Sequence, residues 1–270
     1  MQSTRPIRAL TRGLDALAIL NLRNGATVAE VAEEIRLPRT TVYRILETLC
    51  DAGFVHRDAT DDRYRLPIRV LGLSGGFDDE PWVTEFVKPI LCDLSHEVVW
   101  PVAIATPSGG AMLVRETTDH LSPLATERYS AGFRAPLLTT ATGLAYLAHC
   151  AAPQRDSLVD LVWNSTKTEE RFAGSRAELQ KTLGEIRAQG YAAVPRTRRH
   201  SQDITLSVPV ALHDTVLAAL TIRFAAVALP LPAAVARFLP KLRGCAGRIS
   251  QVFSENQAAA PNTGESAAVI

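Results

Sequence analysis

Pro38-Arg39-Thr40-Thr41-Val42-Tyr43-Arg44 is a dense run of hydrogen-bond donors. Two guanidinium forks, two hydroxyls and a phenol stand there within two helical turns. Such groups suit base edges and phosphate oxygens. A second candidate is Gly72-Leu73-Ser74-Gly75-Gly76, which has the G-x-S-x-G spacing of a nucleophile elbow. Asp203 and His213 would complete a Ser, Asp, His order along the chain. An elbow needs a buried strand before the serine and a helix after it. Here charged residues 63–69 precede it and Phe77-Asp78-Asp79-Glu80-Pro81 follows, so the hydrolase reading is the weaker one. A third candidate is Arg134 followed by Thr139, Thr140 and Thr142 ahead of Gly143. Hydroxyls and free N–H groups at a helix start can seat a carboxylate.

Periodicity says what positions the first run. Leu10, Leu14, Leu17, Ala18 and Leu20 recur at helical spacing, and Asn24-Gly25 breaks the pattern. Thr27 and Glu30 form a capping-box pair before a short helix striped with Val28, Val31, Ala32 and Ile35. Pro38 suits the first turn of a third helix, whose apolar face is Val42, Ile45, Leu46 and Leu49, with Gly53 ending it. Residues 54–57 and 63–66 read as a short hairpin. Helix, short helix, tight turn, helix and hairpin make a winged helix-turn-helix. On it Arg39, Thr40, Thr41, Tyr43 and Arg44 face outward, and His56, Arg57, Arg63 and Arg65 arm the hairpin for flanking phosphates. Charge alone is a poor guide, since residues 1–76 hold eleven Arg against nine acidic residues.

The chain of 270 residues is 47% hydrophobic and 21% charged with a net charge of +1, which excludes global disorder and a basic nucleic-acid coat. Its length suggests two domains: residues 1–66, a linker at 67–80, a second domain at 81–254, and a disordered tail at 255–270. No apolar run reaches the roughly 18–20 residues of a membrane span, so a cytoplasmic protein is expected. Cys50, Cys92, Cys150 and Cys245 are widely separated, so no zinc site or other metal is expected. The second domain reads as helices at 81–96, 140–149, 154–162, 175–189 and 232–253. Strands are expected near 98–105, 111–116, 123–129, 191–194, 204–210 and 215–224. This is an α+β pattern with a mostly antiparallel sheet. Arg196, Arg198, Arg199 and His200 read as an exposed basic loop.

Three stretches then bring a known family into view. Leu10-Thr-Arg-Gly-Leu14, Glu30 through Leu46, and Leu49-Cys-Asp-Ala-Gly-Phe-Val-His-Arg57 with Tyr64-Arg-Leu66 resemble IclR-type transcriptional regulators. The likeness continues through Pro136–Gly143, Arg187–Tyr191 and Ser207–Val210, covering about residues 7–250. Within the family, Glu97–Pro101, Val114–Thr118 and Arg134–Gly143 are most similar to regulators of 3-hydroxyphenylpropionate catabolism. The resemblance implies a GAF-like effector-binding second domain and a homodimer or homotetramer on a roughly palindromic double-stranded DNA operator. It also implies an aromatic carboxylate effector, with a lean towards activation, and no cofactor. The DNA contacts expected are Arg12, Pro38, Arg39, Thr40, Thr41, Tyr43, Arg44, Arg57 and Arg63. The effector contacts expected are Arg134, Thr140, Ala141, Thr142, Gly143, Thr205, Ser207, Thr221 and Arg223. Arg223 departs from the family's small or apolar residue. Pointing inward it could pair with a carboxylate; pointing outward it is a solvated strand residue. Trp100, Met112, Leu124, Tyr129 and Phe133 are candidate apolar walls, and His120, Arg128 and Tyr129 candidate partners of a ring hydroxyl. Besides the hydrolase, a ligand-sensing adaptor that does not bind DNA remains as an alternative.

Overall fold

Thr27 starts the architecture that matters for the first site. Its hydroxyl caps Glu30 N at 3.3 Å and the Glu30 carboxylate returns to Thr27 N at 2.8 Å. The box begins helix α2 (Val28–Glu34), between α1 (Arg8–Arg23) and α3 (Arg39–Asp51). The computed structural model describes residues 7–23, 25–73, 82–163, 171–198 and 201–259. Pro38 stands one residue ahead of α3 with extended ψ of 139°, and its carbonyl accepts from Thr41 N and Val42 N. Gly53, at φ 75°, ends the helix region. Strands β1 (His56–Arg57) and β2 (Tyr64–Arg65) pair antiparallel, and Ala26 pairs with Tyr64, stitching the wing to the α1–α2 turn. Ala16, Leu20, Val31, Val42, Leu46, Val55 and Tyr64 close this core. A 3-10 helix spans Ile68–Leu73.

The chain divides into two units, Met1–Asp79 with Glu127–Tyr129, and Glu80–Thr126 with Ser130–Ile270. The second unit opens with a π-helical segment at Trp82–Val87 that runs into α4 (Lys88–Val98). Its sheet has the order β5-β4-β3-β8-β7-β6, every pairing antiparallel. The strands are β3 (Val102–Ser108), β4 (Ala111–Thr117), β5 (Arg134–Pro136), β6 (Ala192–Arg198), β7 (Ser201–Leu212) and β8 (Thr215–Ala225). Helices α5 (Ala141–His149), α6 (Ala152–Trp163), α7 (Arg176–Gln189) and α8 (Leu231–Ala259) complete it.

Period-2 alternation divides the sheet. Val102, Ile104, Ile204, Leu206, Val208, Leu220, Ile222 and Phe224 face an apolar core with α4 and α8. The intervening residues Ala105 and Ala219 join the core with α5, α6 and α7.

Three expectations need correction. No strand forms at 123–129: Pro123 has no N–H to give a ladder. Turns bonded from Leu121 N and Ser122 N to Thr118 O, and from Ala125 N to Ser122 O, satisfy the backbone instead. The edge strand is β5. Helix α8 continues through Pro240 to Ala259, past the expected tail start at 255; residues 260–270 lie outside the described residues. Arg196 and Arg198 stand in β6, paired with Asp203 and Ser201, not in a loop.

Candidate DNA-binding surface and effector face

Helix α3 turns Val42 and Leu46 inward, which forces Arg39, Thr40, Tyr43 and Arg44 outward. All four are exposed, Tyr43 at 44%. Thr41 is half-buried beside them and Pro38 is exposed at the helix start. Arg12 is half-buried on α1.

The wing arginines are differently engaged. Arg63 donates from Nη1 and Nη2 to Glu30 at 3.0 and 3.3 Å, and from Nη1 to Gly25 O at 3.2 Å. Through these bonds Arg63 clamps the wing onto the cap of α2. Burial pushes the Glu30 carboxyl up, but the Thr27 backbone and hydroxyl, then Arg63, outweigh it and hold it below its ordinary value. Arg57 donates Nε to Asp62 at 2.6 Å and lies over the Tyr64 ring, yet stays exposed. Arg65 bonds Asp58 at 2.8 Å and is also paired with Asp61, whose carboxyl falls to about 2 mainly through Arg65. The wing therefore neutralises much of its own charge.

In the second unit, the structure gathers only part of the expected effector set. Thr221 lies opposite Ser207 and Arg223 opposite Thr205 in the β7–β8 register. Thr142, from the first turn of α5, meets Thr221 hydroxyl to hydroxyl at 3.0 Å, and Ser207 meets Thr221 at 2.9 Å. All three are buried, and on the same side of the sheet the small residues Ala105 and Ala219 belong to the core with α5, α6 and α7. Arg223 points inward: its side chain is 11% exposed and its Nη2 donates to Asp119 Oδ2 at 2.8 Å. Asp119 is itself buried, and its other oxygen accepts from Thr117 Oγ1 at 2.8 Å.

Four expected contacts serve structure. Arg134 is exposed and binds Ser108 O at 2.7 Å and Gly109 O at 3.2 Å, closing the β3–β4 turn, so it does not reach this face. Thr140 caps α5, donating to Pro136 O at 2.7 Å and accepting from Gly143 N at 3.2 Å, which occupies its hydroxyl. Ala141 is core. Gly143 permits close approach, since a Cβ there would lie 2.0 Å from Leu137 O. Of the candidate walls, Trp100 packs edge-on against Phe224 on the opposite face, Met112 is fully buried core, and Tyr129 donates its hydroxyl to Glu127. Sequence reasoning missed Asp119 and Thr126, and named Asp203 only for the hydrolase alternative. Asp203 is buried, with Oδ2 accepting from Thr126 Oγ1 at 2.7 Å. It shares strand phase with Thr205 and Ser207, and that alternation was the signal available.

The hydrolase geometry is absent among the described residues. Ser74 lies outside them, but the residues before it form a 3-10 helix, not a strand. Asp203 stands near the start of β7 and His213 in the turn just past its end, roughly 33 Å apart at about 3.3 Å per residue. No group of three or more His, Cys, Asp or Glu among the described residues is placed to hold a metal, and no helix there is long and apolar enough to cross a membrane.

The IclR helix-turn-helix domain model matches residues 9–59, and the model of the bacterial transcriptional regulator IclR C-terminal domain matches residues 82–251. This chain belongs to the IclR family. The family is one of DNA-binding transcriptional regulators, not enzymes. The HTH-type transcriptional regulator BhcR of Paracoccus denitrificans is 26% identical over 194 residues, 69% of this chain and 66% of BhcR. Transcriptional repressor IclR of Escherichia coli is 25% identical over 70% of each chain. Two crystal structures share the fold. Thermotoga maritima IclR has a TM-score of 0.58 at 18% identity, covering 92% of this chain and 99% of that one. An IclR homologue of Microbacterium hydrocarbonoxydans complexed with 4-hydroxybenzoate has a TM-score of 0.54 at 21% identity, with the same coverage. These matches and the helix order bear out the α+β reading with a winged helix-turn-helix followed by a GAF-like effector domain.

Proposed function

We propose that this IclR-family protein is a cytoplasmic regulator of aromatic-compound catabolism, acting as an activator that responds to a small aromatic carboxylic acid. The observation that carries the effector half is the Ser207–Thr221–Thr142 hydroxyl chain beside the buried Arg223. The three hydroxyls bond one another and Leu220 O, and Arg223 bonds Asp119, so an effector's acid group would engage the hydroxyls by exchanging these bonds, on a face of small side chains. The family homologue complexed with 4-hydroxybenzoate supports the class, and the likeness to 3-hydroxyphenylpropionate regulators narrows it.

The DNA half rests on Arg39, Thr40, Tyr43 and Arg44, exposed together on α3. A homodimer would present two such helices to a roughly palindromic site. Ile7, Leu10 and Leu14 support self-association: they are 71%, 61% and 58% exposed on or next to α1 at helical spacing. Effector binding shifts the pair between arrangements by no more than its differential affinity for them. The test is a binding titration on DNA upstream of its own gene with excess competitor. Specific binding should change on adding 3-(3-hydroxyphenyl)propionate and disappear in Arg39→Ala/Arg44→Ala with the fold intact. A specific complex indifferent to aromatic acids refutes the effector class, and binding unchanged in the double variant refutes the α3 assignment.

A further inference from the structure

Asp203 is the group the hydroxyl chain does not account for. It is 5% exposed. Its Oδ2 accepts from Thr126, but its Oδ1 is buried with no hydrogen-bond partner among the described residues. A buried carboxylate oxygen without a donor is costly, and folds retain one where something else supplies the donor. Ile204, Leu206 and Val208 point into the α4–α8 core, so Asp203 points to the other side, with Thr205 and Ser207. Arg223 is its diagonal neighbour across β7–β8, a separation of about 7–8 Å, and is drawn to Asp119 instead.

Two buried carboxyl groups, Asp119 and Asp203, therefore stand at this end of the face, and the one guanidinium there bonds Asp119. An anionic group directed there would be repelled, while a neutral hydroxyl would be held. The uncharged hydroxyl chain begins at Ser207, roughly 13 Å along β7 from Asp203 at four residue steps. That span fits one aromatic ring with a short acid chain and a hydrogen bond at each end. We propose that Asp203, steadied by Thr126, is a specificity-determining residue that accepts a hydrogen bond from a ring hydroxyl of the effector. The acid end then lies towards Ser207, Thr221 and Thr142. This assignment rests on the aromatic-acid reading above.

The test is calorimetric titration of the full-length protein and of Asp203→Ala and Asp203→Asn with two probes, 3-(3-hydroxyphenyl)propionate and 3-phenylpropionate. The wild type should prefer the hydroxylated acid roughly 10- to 100-fold, the range for a hydrogen bond to an ionised acceptor. Asp203→Ala should bring the two affinities together. Asp203→Asn keeps the shape and the Thr126 contact, and should reduce the preference; it decides the matter where thermal melting shows Asp203→Ala unfolded. Equal affinities in the wild type, or a preference undiminished in either folded variant, overturn the role of Asp203 and leave the aromatic-acid reading standing. Binding of neither acid to the wild type overturns that reading and this assignment with it.

Discussion

Replacing Arg63 by alanine distinguishes a structural clasp from a DNA contact. Arg63 makes a two-pronged bond to Glu30 and a third bond to the Gly25 carbonyl. The two side chains are 37% and 32% exposed, so solvent screens the ion pair to about 0.5–1 kcal/mol. The carbonyl bond adds about 1 kcal/mol. Arg63→Ala should therefore destabilise the DNA-binding module by about 1–2 kcal/mol. For a unit of this size that lowers its melting transition by roughly 5–15 °C. Scanning calorimetry of the full chain reads that shift. Operator affinity measured well below the melt, across a series of salt concentrations, reads the other half. The slope of log affinity against log salt should stay unchanged in Arg63→Ala. In Arg39→Ala or Arg44→Ala it should shrink by about 0.9 for each phosphate the variant no longer neutralises. An unchanged melting temperature with a salt slope reduced by about one in Arg63→Ala would show that Arg63 leaves Glu30 for phosphate, and the clasp argument would be refuted.

Gly143→Ala places a Cβ 2.0 Å from the Leu137 carbonyl oxygen, so α5 must shift. We expect a loss of about 3 kcal/mol or more by denaturant unfolding of the second unit, with effector affinity falling because Thr142 moves with the helix. Acid should weaken the first unit through Glu30. Its folded pKa lies below its unfolded value, so its stabilisation is present above the unfolded value of about 4.3 and is lost as pH falls through the lowered folded value. Glu30→Gln should flatten the stability profile in that window, followed by circular dichroism.

The helix order of the first unit was readable because local signals coincide there. Thr27 and Glu30 cap, Pro38 and Gly53 punctuate, and Val42 and Leu46 define a face. The second unit was legible in its helices and inner strands and not in its loops. Residues 123–129 read as a strand, but in the loop at 118–126 side-chain bonds such as Ser122 Oγ to Val99 O at 2.6 Å hold the chain in turns. No local pattern reveals that this loop carries Asp119 to Arg223 and Thr126 to Asp203, pairs 104 and 77 residues apart in the chain. Likewise Arg134 was a plausible carboxylate ligand by sequence, yet nearby carbonyls at Ser108 and Gly109 claim it.

The DNA surface follows from pairing, not from net charge. The excess of two arginines over acids in residues 1–76 (eleven minus nine) says little about where phosphate would bind. The ion pairs sort them. Arg23 is taken by Glu34, Arg57 by Asp62, Arg63 by Glu30, and Arg65 by Asp58 and Asp61, while Arg69 stacks on Phe54. Arg39 and Arg44 stand outside this set, on the exposed start of α3. Five of the nine acids, Glu30, Glu34, Asp58, Asp61 and Asp62, are thus spent on the wing and on α2. They leave the positive potential concentrated where helix geometry presents it, and salt-sensitive binding should track α3 far more than the hairpin.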